Sequence, residues 1–270
     1  MESRNLLDYK GKRVVFTGAS SGIGKAAAQI LIDLGAEVYS LGTRGVSVPG
    51  SKFIPIDLKD KDLIDAAIAQ IPDGVDSLFN CAGLPGPPFP NLDTTLVNFA
   101  GHRHLTENLL PKMSKGGAIA NVASLAGMGW RSNLETVKEL VSTRNFDAAK
   151  DWLLANEDRN MGYLFSKQCL IYYTCQRASQ LAKKEIRINC LSPITTMTPM
   201  YKQFEASNSK EFLWDYFRAP CDRFATPEEV AEPLVFLNSN LARFVSGQNL
   251  VVDYGYWGDV EAGGRQSLVG

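Results

Sequence analysis

The sequence has few of the residues that build metal centres and disulfide frameworks. It contains two histidines, His102 and His104, and five cysteines, none of them in a CxxC pair. No metal-ligand spacing is present. The histidines are two residues apart on a predicted helix and do not share a face, so we interpret both as structural or surface residues. Cysteines in apolar runs are typical of buried thiols and indicate a reducing setting.

The sequence also lacks an excess of charge and a long apolar run. The formal net charge is −1 and the pI is about 6.2, which gives no field that attracts nucleic acid or an anionic membrane. No stretch approaches the ~20 apolar residues of a membrane span. The amino-terminal segment, MESRNLLDYKGKR, is too polar for a signal-peptide core. We expect a cytoplasmic protein.

Short β-rich runs alternate with longer helical patterns, which favours a parallel sheet with crossover helices. Hydrophobic residues make up 45% of the chain without a dividing linker. We therefore predict one domain over 1–270, a Rossmann-type doubly wound α/β sheet. The predicted strands are Arg13–Thr17, 37–41, 52–56, 76–79, 118–123, 186–190 and 250–253, and the predicted helices cover 22–34, 60–70, 92–113, 161–183 and a segment opening at Thr226.

A glycine-rich loop joins the first strand to the first helix. In Thr17-Gly-Ala-Ser-Ser-Gly-Ile-Gly24, the glycines permit a tight turn and a close backbone approach to a pyrophosphate. The amides and the dipole at the helix start favour an anion. The loop predicts a dinucleotide site, although its spacing is not the usual GxGxxG.

This TGxxxGxG spacing resembles the cofactor loop of the short-chain dehydrogenase/reductase family. Further motifs follow in the family's order: Asn80-Cys-Ala-Gly83 resembles NNAG, Ser124 ends the fifth strand, Tyr163-Leu-Phe-Ser-Lys167 fits YxxxK, 189–193 (NCLSP) is similar to the sixth-strand motif and 251–255 (VVDYG) to the closing VDGG. The resemblance spans about residues 11–256. It implies an NAD(P)-dependent enzyme that interconverts an alcohol and its ketone or aldehyde; the alternative is a dinucleotide-binding redox sensor without turnover.

Tyr163 and Lys167 are four residues apart on a predicted helix, so their side chains share a face. A tyrosine with an ordinary pKa near 10 is a poor base at neutral pH. We expect the Lys167 ammonium and an oxidised nicotinamide to lower the pKa of Tyr163, making it the general acid/base. The resemblance implies that Ser124 hydrogen-bonds the substrate oxygen, that Lys167 holds the nicotinamide ribose, and that Asn98 completes a proton relay through water.

The resemblance also implies a set of cofactor-binding residues. They are Gly18, Ser20, Ser21, Gly22, Ile23, Gly24, Thr43, Arg44, Asp57, Leu58, Asn80, Ala82, Gly83, Tyr163, Lys167, Pro193, Thr196 and Thr198. NAD-specific sites place an acid at the end of the second strand, where this chain has Gly42-Thr-Arg44. Arg44 is suited to a phosphate, so we favour NADP(H), with NAD(H) as the alternative. The other interpretation makes Arg44 a solvated loop residue and Asp57 a helix cap.

The chain departs from the family pattern in three places. Ser124 and Tyr163 are 39 positions apart in the chain, and the extra segment, 127–160, has helical periodicity twice. We predict a helical hairpin that either roofs the active site or forms a subunit contact; Trp152 favours the contact. Ile194 and Tyr254 stand where the family has glycine, and Ile194 is expected to restrict the backbone near the nicotinamide.

The substrate side is predicted from aromatic content and resemblance. Segment 197–220 is rich in methionine and aromatic residues and is the predicted lid, with 84–90 as a rigid wall. These features suggest a bulky aromatic or alicyclic substrate, or aromatics that only pack the lid. Segments 102–111 and 151–155 resemble bacterial coniferyl-alcohol dehydrogenases, and the long segment before Tyr163 is similar to that of 3α-hydroxysteroid dehydrogenase/carbonyl reductases. We expect a homodimer or homotetramer, and a poorly ordered tail over 258–270 unless a partner subunit holds it.

Overall fold

A computed structural model describes residue 7 and residues 9–45 and 48–266. Seven parallel strands form one sheet in the order β3-β2-β1-β4-β5-β6-β7. The strands are β1 (Arg13–Thr17), β2 (Glu37–Gly42), β3 (Lys52–Pro55), β4 (Val75–Asn80), β5 (Met113–Val122), β6 (Arg187–Pro193) and β7 (Asn249–Val252). The strand order reverses between β1 and β4, which confirms the predicted doubly wound α/β sheet.

Helices cover both faces of the sheet. The α-helices of the described residues are α1 (Gly22–Asp33), α2 (Lys61–Ala69), α3 (Asn91–Thr95), α4 (His102–Leu109), α5 (Leu134–Val141), α6 (Phe146–Ala155), α7 (Tyr163–Ala182), α8 (Pro199–Ser207), α9 (Lys210–Phe217), α10 (Pro227–Asn238) and α11 (Tyr256–Glu261). One apolar core lies between the sheet and α2, α4 and α7, and a second lies between the sheet and α1 and α10. Both faces of the sheet are therefore buried, as is typical of a parallel sheet.

The helix predicted across about 92–113 is confirmed in extent, but it is not a single regular α-helix. The segment divides into α3, a π-helical turn over Leu96–Gly101, α4 and a 3-10 turn over Leu110–Lys112. Pro111 lies in the 3-10 turn, where its ring cannot continue an α-helix, and β5 begins at Met113 rather than at 118. A π-helical turn often lies at a functional site because it redirects side chains and backbone carbonyls.

The predicted helical hairpin between Ser124 and Tyr163 is formed by α5 and α6. Its apolar side belongs to the main core, with Val137, Leu140 and Leu153 fully buried. The buried guanidinium of Arg103, on α4, donates to the backbone oxygens of Leu140 and Val141 at the end of α5 and to those of Thr143 and Asn145 just after it. A cation at a helix carboxyl end satisfies the free carbonyls and the dipole, so Arg103 fastens the hairpin to the body.

The remaining general predictions have mixed outcomes. Helix α11 occupies the start of the segment predicted to be a poorly ordered tail, and 267–270 lie outside the described residues. Among the helices that the structure describes, none is long and apolar enough to cross a membrane. All five cysteines are free thiols; Cys169 and Cys190 are buried as predicted, whereas Cys175 is exposed.

Candidate active site

The carboxyl ends of β1, β4, β5 and β6 lie side by side at the point where the strand order reverses. The loops after these strands carry Gly18, Cys81, Ser124 and Ile194. In open α/β sheets this crevice is the usual ligand site. Residues that are far apart in the chain therefore meet at one edge of the sheet.

The glycine loop after β1 is shaped for a close backbone approach. Gly18 has a φ of 80°, and a Cβ there would lie 2.6 Å from the backbone nitrogen of Ala82. Helix α1 begins after the exposed Ser21, whose side chain makes no capping hydrogen bond, and its first turn has no acidic residue. The amides at this helix start thus stay available for an anion. These features fit the pyrophosphate of a dinucleotide.

The loop after β4 is held from two sides. The hydroxyl oxygen of Thr17 accepts hydrogen bonds from the amides of Cys81 (3.0 Å) and Ala82 (3.2 Å). The side chain of Asn98 accepts from the amide of Leu84 at 2.7 Å and donates to its carbonyl at 2.9 Å. Segment 81–84 is therefore a rigid wall of the crevice.

Asn80, a predicted cofactor residue, is buried beneath this wall. Its side-chain amide donates to Thr106 and to Asn121, while its side-chain oxygen has no hydrogen-bond partner among the described residues. The carboxamide mainly braces β4 against α4 and β5. Ala82 and Gly83 are partly exposed, and their contact with a cofactor stays a prediction.

Ser124, Tyr163 and Lys167 come together as predicted. Lys167 is buried on α7, its Nζ donates to the carbonyl oxygen of Val122 at 2.7 Å and it lies 5.5 Å from the centroid of the Tyr163 ring. The Ser124 side chain is close enough to the Tyr163 phenol to affect its pKa, and its hydroxyl accepts a hydrogen bond from the Ala126 amide at 3.2 Å. The three polar groups thus share one pocket at the end of β5.

Burial shifts the pKa values of both Tyr163 and Lys167 in this pocket. Burial raises the pKa of Tyr163, and the nearby Ser124 side chain opposes the rise. Burial lowers the pKa of Lys167 to about 8. In the protein by itself the pKa of Tyr163 is raised, because desolvation disfavours the charged phenolate, and the lowering expected from Lys167 together with the nicotinamide stays a prediction.

Asn98 lies in the π-helical turn and is fully buried. Besides holding Leu84, its amide nitrogen is 3.2 Å from the hydroxyl of Ser166 on α7. The side chain therefore links segment 81–84 to the helix that carries Tyr163 and Lys167. The carboxamide is occupied in this way, and the part of Asn98 in a proton relay stays a prediction.

Sequence reasoning missed Asn160, which fixes the beginning of α7. Its side-chain oxygen accepts from the Thr95 hydroxyl at 2.7 Å and from the Gly162 amide at 3.0 Å, and its carbonyl accepts from Asn91 at 2.8 Å. Gly162 has a φ of 60°, and a Cβ there would lie 2.4 Å from the Asn91 side chain. Tyr163 follows directly, so the end of the insertion positions the predicted base.

The residues predicted to contact the adenosine half lie after β2 and β3. Thr43 and Arg44 are exposed. Asp57 is partly exposed and accepts from the amide of Lys59, whereas the cap of α2 is Asp60; the alternative role of Asp57 as helix cap is therefore wrong. Leu58 is buried, with its carbonyl oxygen close against Gly101 at the end of the π-helical turn.

The residues after β6 are divided between the crevice and the fold. Pro193 is partly exposed, whereas Thr196 is buried and its hydroxyl donates to the Ile194 carbonyl. Thr198 caps α8, and its methyl group lies 2.9 Å from the position of a Cβ on Gly22. Thr198 therefore contacts the glycine loop at Gly22, while the hydroxyl of Thr196 stabilises the turn after β6.

The side chain of Ile194 is buried away from solvent. It packs with Leu125, Ala219 and Tyr256 in a small cluster that anchors α11. Its amide donates to the carbonyl of Val252 on β7 at 3.0 Å. The chain therefore uses a branched side chain at this position to hold its carboxy-terminal helix next to the residue that follows Ser124.

The predicted lid consists of α8 and α9. Tyr201, Leu213 and Phe224 form a buried cluster beneath it. Phe204, in contrast, places its ring edge-on to Tyr163 with a centroid separation of 5.1 Å, and the Met200 methyl is 3.7 Å from the position of a Cβ on Gly83. Part of the aromatic content thus packs the lid, and part of it lines the pocket of Tyr163.

The insertion does not need a second subunit to account for Trp152. Its ring stacks on Phe165 with a centroid separation of 5.9 Å, and its Nε1 lies 3.3 Å from the Glu139 carboxylate. A role of 127–160 in oligomerisation stays a prediction. In the part of the chain that the structure describes, no group of three or more histidine, cysteine or acidic side chains could hold a metal.

Comparison with known proteins agrees with this geometry. Residues 12–134 match a family model described as short chain dehydrogenase, and residues 153–257 match one described as enoyl-(acyl carrier protein) reductase. The chain is 33% identical over 254 residues to a coniferyl-alcohol dehydrogenase of Pseudomonas sp., covering 92% of this chain and 98% of that protein. It is 30% identical over 264 residues to dehydrogenase/reductase SDR family member 6 of Danio rerio, covering 91% and 97%.

A solved structure has the same fold. The 3-alpha-hydroxysteroid dehydrogenase from Pseudomonas sp. B-0831, in complex with NADH, superposes with a TM-score of 0.77 at 23% identity, covering 95% of this chain and 100% of that one. The strand order, the glycine loop and the sequence similarity lead to one conclusion: the chain belongs to the short-chain dehydrogenase/reductase family of NAD(P)-dependent oxidoreductases.

Proposed function

We propose that the protein interconverts an alcohol and its ketone or aldehyde with a nicotinamide dinucleotide, and that Tyr163 is the general acid/base. The observation that carries the proposal is the pocket in which the Tyr163 ring lies 5.5 Å from the buried Lys167 ammonium, with the Ser124 side chain close enough to affect the pKa of Tyr163. Together, the Tyr163 phenol, the Ser124 hydroxyl and the Lys167 ammonium can transfer one proton and stabilise one developing oxyanion.

Each side chain has a separate task. Ser124 orients the substrate oxygen, and Tyr163 takes its proton during oxidation or returns one during reduction. Lys167 places a positive charge under the Tyr163 ring, held at 2.7 Å by the Val122 carbonyl. A dinucleotide bound along the Gly18 loop supplies or accepts the hydride. Phe204 and segment 84–90 keep water from the reacting atoms.

We propose a bulky aromatic or alicyclic substrate, such as an aryl alcohol or a hydroxysteroid-like alcohol. Phe204 and Met200 present apolar surface next to Tyr163 and Gly83. A Cβ at Gly86 would lie 3.6 Å from the Cβ of Tyr163, so the proline-rich wall borders the same space. The name of the Pseudomonas relative, coniferyl-alcohol dehydrogenase, supports the aryl-alcohol class.

A panel assay tests the reaction. We expect aryl alcohols to change the absorbance of the reduced nicotinamide faster than small polar alcohols do. Tyr163→Phe should lower kcat at least a hundredfold, whereas Tyr172→Phe, on the same helix, should leave it unchanged. Tight dinucleotide binding without turnover of any alcohol would contradict the proposal and favour a redox sensor.

We propose NADP(H) as the preferred cofactor. Thr43 and Arg44 are exposed after β2, where an acid would repel a 2′-phosphate. Arg44→Ala should raise KM for NADP(H) and leave KM for NAD(H) unchanged, with Lys59→Ala as a surface control. A wild-type preference for NAD(H) that the variant does not alter would refute this assignment. A homodimer or homotetramer also stays a proposal, testable by gel filtration with and without 130–158.

A further inference from the structure

One buried polar side chain at the crevice has no task in the proposed mechanism. His102 opens α4 and is 1% exposed. Its Nε2 lies 3.1 Å from the Thr17 hydroxyl oxygen, and its Nδ1 lies 3.4 Å from the Asn98 carbonyl oxygen. The imidazole therefore connects the last residue of β1 with the π-helical turn.

The hydrogen bonds of Thr17 determine which ring nitrogen carries the proton. A hydroxyl has two acceptor sites and one proton to donate. The amides of Cys81 and Ala82 occupy both acceptor sites. An Nε2–H would be a third donor to the same oxygen, so Nε2 must accept. The Thr17 hydroxyl donates to it rather than to the more distant Phe79 carbonyl, at 3.4 Å.

The proton of the neutral imidazole then lies on Nδ1, which donates to the Asn98 carbonyl. The charged form is excluded by the same count because it would carry a proton on both nitrogens. Burial and the nearby Lys167 also keep the ring neutral by lowering the pKa of His102 to about 3. The hydrogen-bond count thus selects the Nδ1–H tautomer, and the lowered pKa agrees that the ring is neutral.

These contacts close a ring of hydrogen bonds around segment 81–84. Thr17 holds Cys81 and Ala82, Asn98 holds Leu84, and His102 joins Thr17 to Asn98. We propose that His102, as the neutral Nδ1–H tautomer, is a positioning residue that sets this wall against the dinucleotide. The inference rests on the proposed function for its effect on turnover, but not for the tautomer or for cofactor binding.

The tautomer is testable in the wild-type protein. Long-range ¹H–¹⁵N spectra distinguish the two neutral tautomers and the imidazolium, and the sequence has only two histidines, so His104→Gln assigns the signals. We expect the Nδ1–H pattern for His102 across about pH 5 to 8, the range where histidine normally titrates. An Nε2–H pattern, or protonation within that range, would overturn the proposal.

Variants test the positioning role through binding of NADPH and NADH, measured by protein fluorescence. His102→Leu removes both hydrogen bonds at similar volume and should weaken binding about tenfold. His102→Asn can supply the donor to Asn98 and His102→Gln the acceptor for Thr17, so each should recover part of the loss; His104→Gln should bind as wild type. Equal binding by wild type and His102→Leu, or no recovery by either amide, would refute the role. A wild-type protein that binds dinucleotide but turns over no alcohol would contradict the proposed function alone.

Discussion

The buried imidazole of His102 makes the stability of the protein depend on acid pH. Its pKa falls from 6.5 to about 3 on folding because the ring is desolvated and faces the Lys167 ammonium, while Cys81 beside that lysine stays a neutral thiol with its pKa raised to about 12. When a group has a lower pKa in the folded than in the unfolded state, its contribution to stability is fully present above the unfolded-state pKa. That contribution is lost as the pH falls from about 6.5 towards 3.

The size of this loss follows from the two pKa values. Between pH 7 and pH 5 the unfolded imidazole takes up a proton and the folded one does not, which costs about 2 kcal/mol of the free energy of unfolding. The figure depends mainly on the unfolded pKa, provided that the folded pKa is below about 4.

Urea unfolding at pH 7 and pH 5 measures the effect. The wild type should lose about 2 kcal/mol more than His102→Leu between these pH values, because the variant has no imidazole at this position. His104→Gln should show the wild-type loss. Equal losses in wild type and His102→Leu would mean that His102 is protonated inside the fold, and would refute both the burial argument and the hydrogen-bond count.

Three further predictions concern stability. Arg103→Met removes the donors to four carbonyl oxygens at and just after the end of α5 and should cost about 3 kcal/mol of unfolding free energy. Arg159→Met, on the surface of the same insertion, should have little effect, and equal effects of the two substitutions in urea would contradict the anchoring role. The pKa of Lys167 is lowered to about 8 in the fold, so above that pH the unfolded chain keeps a proton that the folded protein has lost. From pH 7 to 9 the free energy of unfolding of the wild type should therefore rise by about 1.3 kcal/mol relative to that of Lys167→Met. The same pH dependence of stability in both proteins would count against a buried ammonium. Ile194→Ala should lower the free energy of unfolding by about 3 kcal/mol, and Leu241→Ala, at an exposed position, should lower it far less. An Ile194→Ala variant as stable as the wild type would refute the packing of Ile194 under α11.

The sheet and the proximity of Tyr163 and Lys167 were predictable because their signals are local. A buried parallel strand is a short apolar run, and Arg13–Thr17 is confirmed as β1. Tyr163 and Lys167 share a helix, so their spacing alone puts them on one face. The spacing of the glycines at 18, 22 and 24 likewise predicted a turn into a helix start. The cofactor and the substrate stay proposals, because exposed side chains such as Arg44 have no packing that fixes their partners.

The features that only the tertiary structure decided depend on partners far away in the chain. His102 was interpreted as structural or surface from its helical spacing, and its task becomes visible only because β1 and α4, 85 residues apart in the chain, meet at Thr17. Asn160 positions Tyr163 through Asn91 and Thr95, about 65 residues earlier. The rise in the pKa of Tyr163 likewise required knowledge of burial. Local periodicity and motif spacing determined the elements and their order, whereas hydrogen bonds and desolvation between distant segments determined how the site is held.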